Sequence, residues 1–184
     1  MLFVFLVIQV ACNNEAKDSV EKADSINEVK QDSSVINPQA IVTDEESTSF
    51  LVKAANNEMA EVQLGELALR KATNPRVKDF GVMMKTDHAA ASDLVTALAS
   101  ERKVTLPAAV SDIQKKDIED LSKKSGSDFD RAYIKTMIRA YHETIDLFEQ
   151  ATDKVKDPGI KTFINNTLPR LKNHLDPVLD RKSV

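Results

Sequence analysis

From Ser49 onward, apolar side chains recur every three or four residues, the period of a helix with one buried face. A first helix is expected over residues 49–73, with Leu51, Ala55, Val62, Gly65, Leu69 and Ala72 along its inner stripe. Asn74-Pro75 then supplies an N-cap and a proline at the first helical position, so a second helix starts at once. Its stripe is Val77, Phe80, Met84, Ala91, Leu94/Val95 and Leu98, and it ends near Arg102. With almost no loop between them, the two helices form an antiparallel hairpin.

Residues 103–127 interrupt the pattern. Leu106-Pro107 opens this stretch, a short amphipathic helix over about 111–123 fills its middle, and Ser125-Gly126 closes it. Asp128 is placed to cap a third helix, whose stripe is Ile134, Ile138, Tyr141, Ile145 and Phe148. Asp157-Pro158-Gly159 is a turn. The fourth helix carries Ile160, Phe163/Ile164, Thr167/Leu168, Leu171, Leu175 and Val178. Pro169 within it removes a backbone donor and predicts a kink or a split there. The fold class is therefore all-α: a four-helix bundle over residues 49–184, with a short extra helix in the connector. That connector can loop at one end, giving up-down-up-down order, or run the bundle's length as in ferritin-like folds; its length permits both.

Upstream the pattern is different. Residues 1–11, MLFVFLVIQVA, form an apolar run of signal-peptide length, too short to cross a bilayer as a helix. Ala11 followed by Cys12 resembles a lipobox, in which the signal is cut before a cysteine that then carries lipid. No Lys or Arg precedes the run, and Gln9 stands where a lipobox usually has Leu. The competing reading is an ordinary secretory signal with an incidental cysteine. Residues 12–48 are polar and Ser-rich without sustained periodicity, as expected of a flexible tether. The expected product is a lipoprotein of the cell envelope, held to the outer membrane through Cys12 and facing the periplasm.

Composition narrows the function classes. The net charge is −4 and no basic stripe appears, so nothing points to nucleic acid. A single cysteine excludes an internal disulfide and any cysteine-based zinc cluster. There is no Gly-rich phosphate loop, no GxSxG and no HExxH, so no reaction is identified.

The three histidines supply the remaining chemistry. His88 and His174 fall on the second and fourth stripes, and His142 lies beside the third. Glu61 lies 13 residues before Asn74 and His88 lies 14 after it, so the two come level across the hairpin. His142 and His174 lie 15 before and 17 after Asp157, a difference of about 3 Å in height. Inward imidazoles and carboxylates meeting at one level are how helical bundles hold metals. The expected ligands are Glu61, His88, His142 and His174, with Glu58 and Asp146 as further candidates and Asp87 and Glu143 behind the histidines. Lys85 and Leu171 stand three residues before His88 and His174, so the Glu-x-x-His motif of di-iron bundles is absent. The set suits one transition-metal ion: Zn, Fe, Cu or Mn. The alternative is a polar core in which the same histidines hydrogen-bond to Glu61 and to one another.

The stretch FLVKAANNEMAEVQLGELALRKA and the segment from Val77 to Ala99 carry a family resemblance. So do Leu106-Pro107, GSDFDRAY at 126–133, His142 and Leu168-Pro169 before His174. Together they resemble the domain-of-unknown-function family 4142. The resemblance implies an exported or outer-membrane protein with a ferritin-like bundle, and its pattern includes Glu61, Asp87-His88, His142 and His174. Two functions compete: a metal-binding envelope protein, and a non-enzymatic, structural or stress-related bundle that binds an envelope partner or a second copy of itself.

Overall fold

The computed structural model describes residues 17–34 and 43–180, with only the helical backbone for 175–180. The apolar run at 1–11 and Cys12 lie outside the described residues. Six helices follow in chain order: α1 Ser19–Ser34, α2 Glu45–Lys71, α3 Pro75–Glu101, α4 Asp112–Ser122, α5 Gly126–Lys154 and α6 Pro158–Asp180. No strand occurs among the described residues.

The helix ends follow local chemistry. Asp44 caps α2 by accepting from the Ser47 amide at 3.1 Å, which starts the helix a turn earlier than its apolar stripe indicates. Asn74 caps α3 as expected, accepting from the Arg76 amide at 2.9 Å, with Pro75 at the first position. The third long helix differs: Ser125 is its N-cap, and Asp128 sits inside the first turn, paired with Arg131. Asp157 Oδ1 accepts from the amides of Gly159 and Ile160 at 2.9 and 3.1 Å and so caps α6. That helix continues unbroken through Pro169. The carbonyl that loses its partner there belongs to Asn165, and both residues are exposed, so solvent replaces the missing donor.

Contacts at the two ends fix the direction of each long helix. Phe50 near the start of α2 meets Phe148 near the end of α5 and Phe163 near the start of α6, at centroid distances of 5.0 and 6.3 Å. At the other end, the buried Asp130 of α5 accepts from the Thr73 and Asn74 amides just after α2, at 3.1 and 2.9 Å. α2 and α5 are therefore antiparallel, and α3 and α5 run the same way. Arg102, just after α3, clamps Asp157 with two hydrogen bonds of 2.8 and 2.6 Å. The connector thus leaves one end of the molecule and arrives at the other. α4 lies along α2 and α5 on the way: Ser111 N bonds Asn56 Oδ1 at 2.8 Å, and Arg139 of α5 pairs with Asp117 at 2.7 Å. Of the two arrangements the connector's length permits, this is the one that runs the length of the molecule.

Residues 19–34, expected to be part of a tether without regular structure, form α1 and pack against α2 and the connector. Ala23 and Asn27 are buried there. The Asn27 amide group donates to the Thr105 carbonyl and accepts from the Thr105 amide, both at 2.8 Å. Docking through a polar side chain leaves no apolar stripe for a sequence pattern to detect.

α2 is the central helix, touching α1, α3, α4 and α5. Its approach to α3 is set by two glycines. A Cβ on Gly65 would lie 2.8 Å from the Lys85 amide nitrogen, and one on Gly81 would lie 2.8 Å from the Ala68 Cβ. Only glycine lets the two backbones come this close. The inner face of α2 is also rotated from the apolar stripe: Val62 is half-buried and Leu69 exposed, while Leu51, Ala54, Ala55, Glu58, Glu61, Leu64 and Ala68 are buried. Two glutamates thus occupy the middle of the face that the core needs.

Candidate metal centre

Glu58 and Glu61 lie one turn apart on α2, so both reach the same side of the helix. His88 meets them from α3 at the level the hairpin count predicts. Its Nδ1 stands 2.8 Å from Glu58 Oε2 and 2.7 Å from Glu61 Oε2. The three side chains are almost fully buried, at 0%, 2% and 2% exposure. One ligand atom from each lies within 4.8 Å of the other two, the one such group among the described residues.

The donors do not match the acceptors. A single Nδ1–H faces two carboxylate oxygens and can serve one well. Glu58 Oε1 has no hydrogen-bond donor among the described residues, Glu61 Oε2 has only its share of that one proton, and the buried Tyr133 hydroxyl has no partner among them. Unpaired carboxylate oxygens in a dry core are unfavourable by several kcal/mol and call for a partner of positive character. Glu61 Oε1 is better served: Thr144 Oγ1 donates to it at 3.1 Å.

The ionisation behaviour follows. Burial pushes the Glu58 carboxyl up to about 7, opposed by its hydrogen bond to His88 and by the charge there, and reinforced by Glu61. Burial alone pulls an imidazole down, but the charge of Glu61 and hydrogen bonds to both carboxylates override it and push His88 up to about 10. Burial and then the Glu61 charge also raise the phenols of Tyr133 and Tyr141.

On its other edge, His88 Nε2 lies 3.1 Å from the Tyr141 hydroxyl, which also touches Met84 Sδ at 3.0 Å and His174 Nδ1 at 3.2 Å. His174 Nε2 in turn lies 3.1 Å from Asp87 Oδ2. His88 can therefore donate its Nε2–H to Tyr141 while Nδ1–H is shared between the carboxylates; a cation that displaced the Nδ1 proton would meet a lone pair aimed between them. Burial holds His174 below the usual histidine range, with Asp87 opposing and His88 adding to the shift. Above and below this layer lie aromatic groups: Phe50, Phe148 and Phe163 at one end, and Phe80, Phe129 and Tyr133 at the other.

The expected ligands divide in three. Glu61 and His88 meet as the sequence indicates, and Glu58, a subsidiary candidate, belongs with them. His174 comes to the edge of the layer and reaches His88 only through Tyr141. His142 does not join: it is exposed, as are Glu143 and Asp146. A helix turns about 100° per residue, and Tyr141, fully buried, takes the inward position on α5 that His142 would need. Asp87 does stand behind a histidine as expected, but behind His174 rather than its neighbour His88. Tyr141, Tyr133 and Thr144 also line the layer; of these only Tyr141 carries a sequence signal, its place on the apolar stripe.

The family model described as a domain of unknown function, DUF4142, matches residues 34–180. The chain belongs to this family. The DUF4142 match takes in α2 to α6 and leaves almost all of α1 outside. No curated protein and no solved structure matches the chain. No helix among the described residues is long and apolar enough to cross a membrane.

Proposed function

We propose that this DUF4142 domain binds one divalent transition-metal ion through Glu58, Glu61 and His88. The observation that carries the reading is the charge and donor balance of the layer. Two buried carboxylates face a single imidazole nitrogen at 2.7 and 2.8 Å, and among the described residues no Lys or Arg is paired to them. A proton on His88 neutralises one of the two negative charges, whereas a divalent cation neutralises both. It would also give Glu58 Oε1 a partner and Glu61 Oε2 a full one. Two carboxylates with one imidazole suit Zn, Mn or Fe better than a soft ion such as Cu(I). The competing reading is a metal-free polar core, favoured by contact lengths that suit hydrogen bonds shared by one proton.

The helix order fits a ferritin-like four-helix bundle formed by α2, α3, α5 and α6, with α1 and α4 as additions to its surface. The apolar run at 1–11 and the Ala11-Cys12 junction support export and anchoring in the outer membrane through lipid on Cys12. In that setting, metal binding would serve storage, detoxification or redox protection of the envelope.

Titration of metal-free domain with Zn2+ or Mn2+ should saturate at one ion per chain. At a hundredfold excess over Kd, the Tm should rise by roughly 5–10 °C through mass action. A Tm indifferent to every ion tried would leave the polar core as the correct reading.

A further inference from the structure

We propose that the ion reaches this centre through the seam between α3 and α6, by way of an outer site formed by Asp87 and His174. The proposal rests on the metal reading above and concerns how the buried ligands are reached. Two small cavities touch the layer from opposite sides. One, of about 50 Å3, lies between α3 and α6 and is lined by Glu58, Asp87, His88, Ala91 and His174, among others. The other, of about 30 Å3, reaches Glu61 between α2, α4 and α5.

The second cavity is closed by a chain of hydrogen bonds. Gln114 donates to Asn57 at 3.0 Å, Asn57 to Thr144 at 3.2 Å, and Thr144 to Glu61 at 3.1 Å. Arg139 lines it as well, paired with Asp117 at 2.7 Å beside a further carboxylate, Glu143, so hydrogen bonding rather than charge closes this side. An ion taking that path would have to break three bonds across three helices.

The α3–α6 side presents the opposite order. Asp87 is partly exposed (31% of its side chain) and His174 less so (15%), and Glu58 at the inner end is fully buried. Oxygen and nitrogen ligands thus succeed one another from solvent inward, with a carboxylate at the mouth to attract a cation. Arg170 stands 3.7 Å from Asp87, a long and exposed contact that an arriving cation can displace.

The test uses Co2+ as probe and the full chain. Uptake by metal-free protein and removal by chelator are both followed by stopped flow. An Asp87→Asn/His174→Gln variant should still bind one Co2+ per chain, with uptake slowed by roughly tenfold or more. Ala91→Leu, which narrows the seam without touching a polar group, should slow uptake and removal alike. Gln114→Ala, on the opposite side, should leave both rates unchanged. Unaltered rates in both seam variants, or slowing confined to Gln114→Ala, would overturn the route. Loss of stoichiometric binding in the Asp87/His174 variant would make them inner ligands and overturn it too. No Co2+ uptake by the unaltered chain would instead overturn the metal reading, and the route with it.

Discussion

Glu58→Gln should make the metal-free protein more stable while removing most of its affinity for a metal ion. Glu58 is fully buried and its carboxyl is pushed up to about 7, so near neutral pH the folded state carries the burden of ionising it. A neutral amide of the same shape lifts that burden. It also withdraws one of three ligands. Zinc sites with four ligands yield roughly 10–16 kcal/mol, so losing one ligand here should weaken binding by roughly 100-fold or more. His88→Ala should behave differently. It too abolishes binding, but it leaves two carboxylates buried without a cation and destabilises the metal-free domain by about 3–5 kcal/mol. The pair separates ligand from scaffold, and urea unfolding with parallel metal titration measures both quantities. A Glu58→Gln chain that is less stable and binds metal normally would contradict the charge balance on which the reading rests.

The second large effect is on pH. Both groups have folded-state values above their unfolded ones, so each favours its protonated form in the folded chain. The Glu58 contribution is complete below about 4.5 and disappears as pH rises through about 7. That of His88 is complete below about 6.5 and disappears through about 10. Metal-free protein should therefore lose stability steadily from about pH 5 to pH 10, by on the order of 2 kcal/mol or more. His174, held below its usual value, adds an opposite slope on the acid side of this window. Metal reverses the trend, because protons and cation compete for the same atoms and affinity grows as the ligands deprotonate. Chemical denaturation at a series of pH values, with chelator and with saturating Zn2+, should give two curves that diverge toward high pH. Parallel curves would mean that the ion, if bound, sits elsewhere.

Much of this architecture was legible because it follows from helical period and capping. The α2–α3 hairpin was readable from Asn74-Pro75, and the level meeting of Glu61 with His88 from residue counts on either side of it. The failures have physical causes. His142 lies beside an apolar stripe, and an apolar pattern does not tell margin from core: one residue's rotation puts Tyr141 inside and His142 in solvent. Glu58 is hidden for the reverse reason, since a charged residue adds nothing to an apolar pattern even when it occupies the centre of the buried face. The direction of the connector was open because length permits both paths. It is decided by polar pairs distant in sequence, Arg102 with Asp157 and Asp130 with the turn after α2. α1 left no periodic signal because its anchor to the connector is the Asn27 amide.

The most direct measurement is the metal content of the chain, made without the apolar run at 1–11 and without an affinity tag, by mass spectrometry of the purified protein. The account predicts one Zn, Mn or Fe per chain, lost when His88 is replaced by Ala. A chain that folds fully, carries no ion and takes up none on reconstitution would contradict it. Glu58, Glu61 and His88 would then be a proton-sharing core.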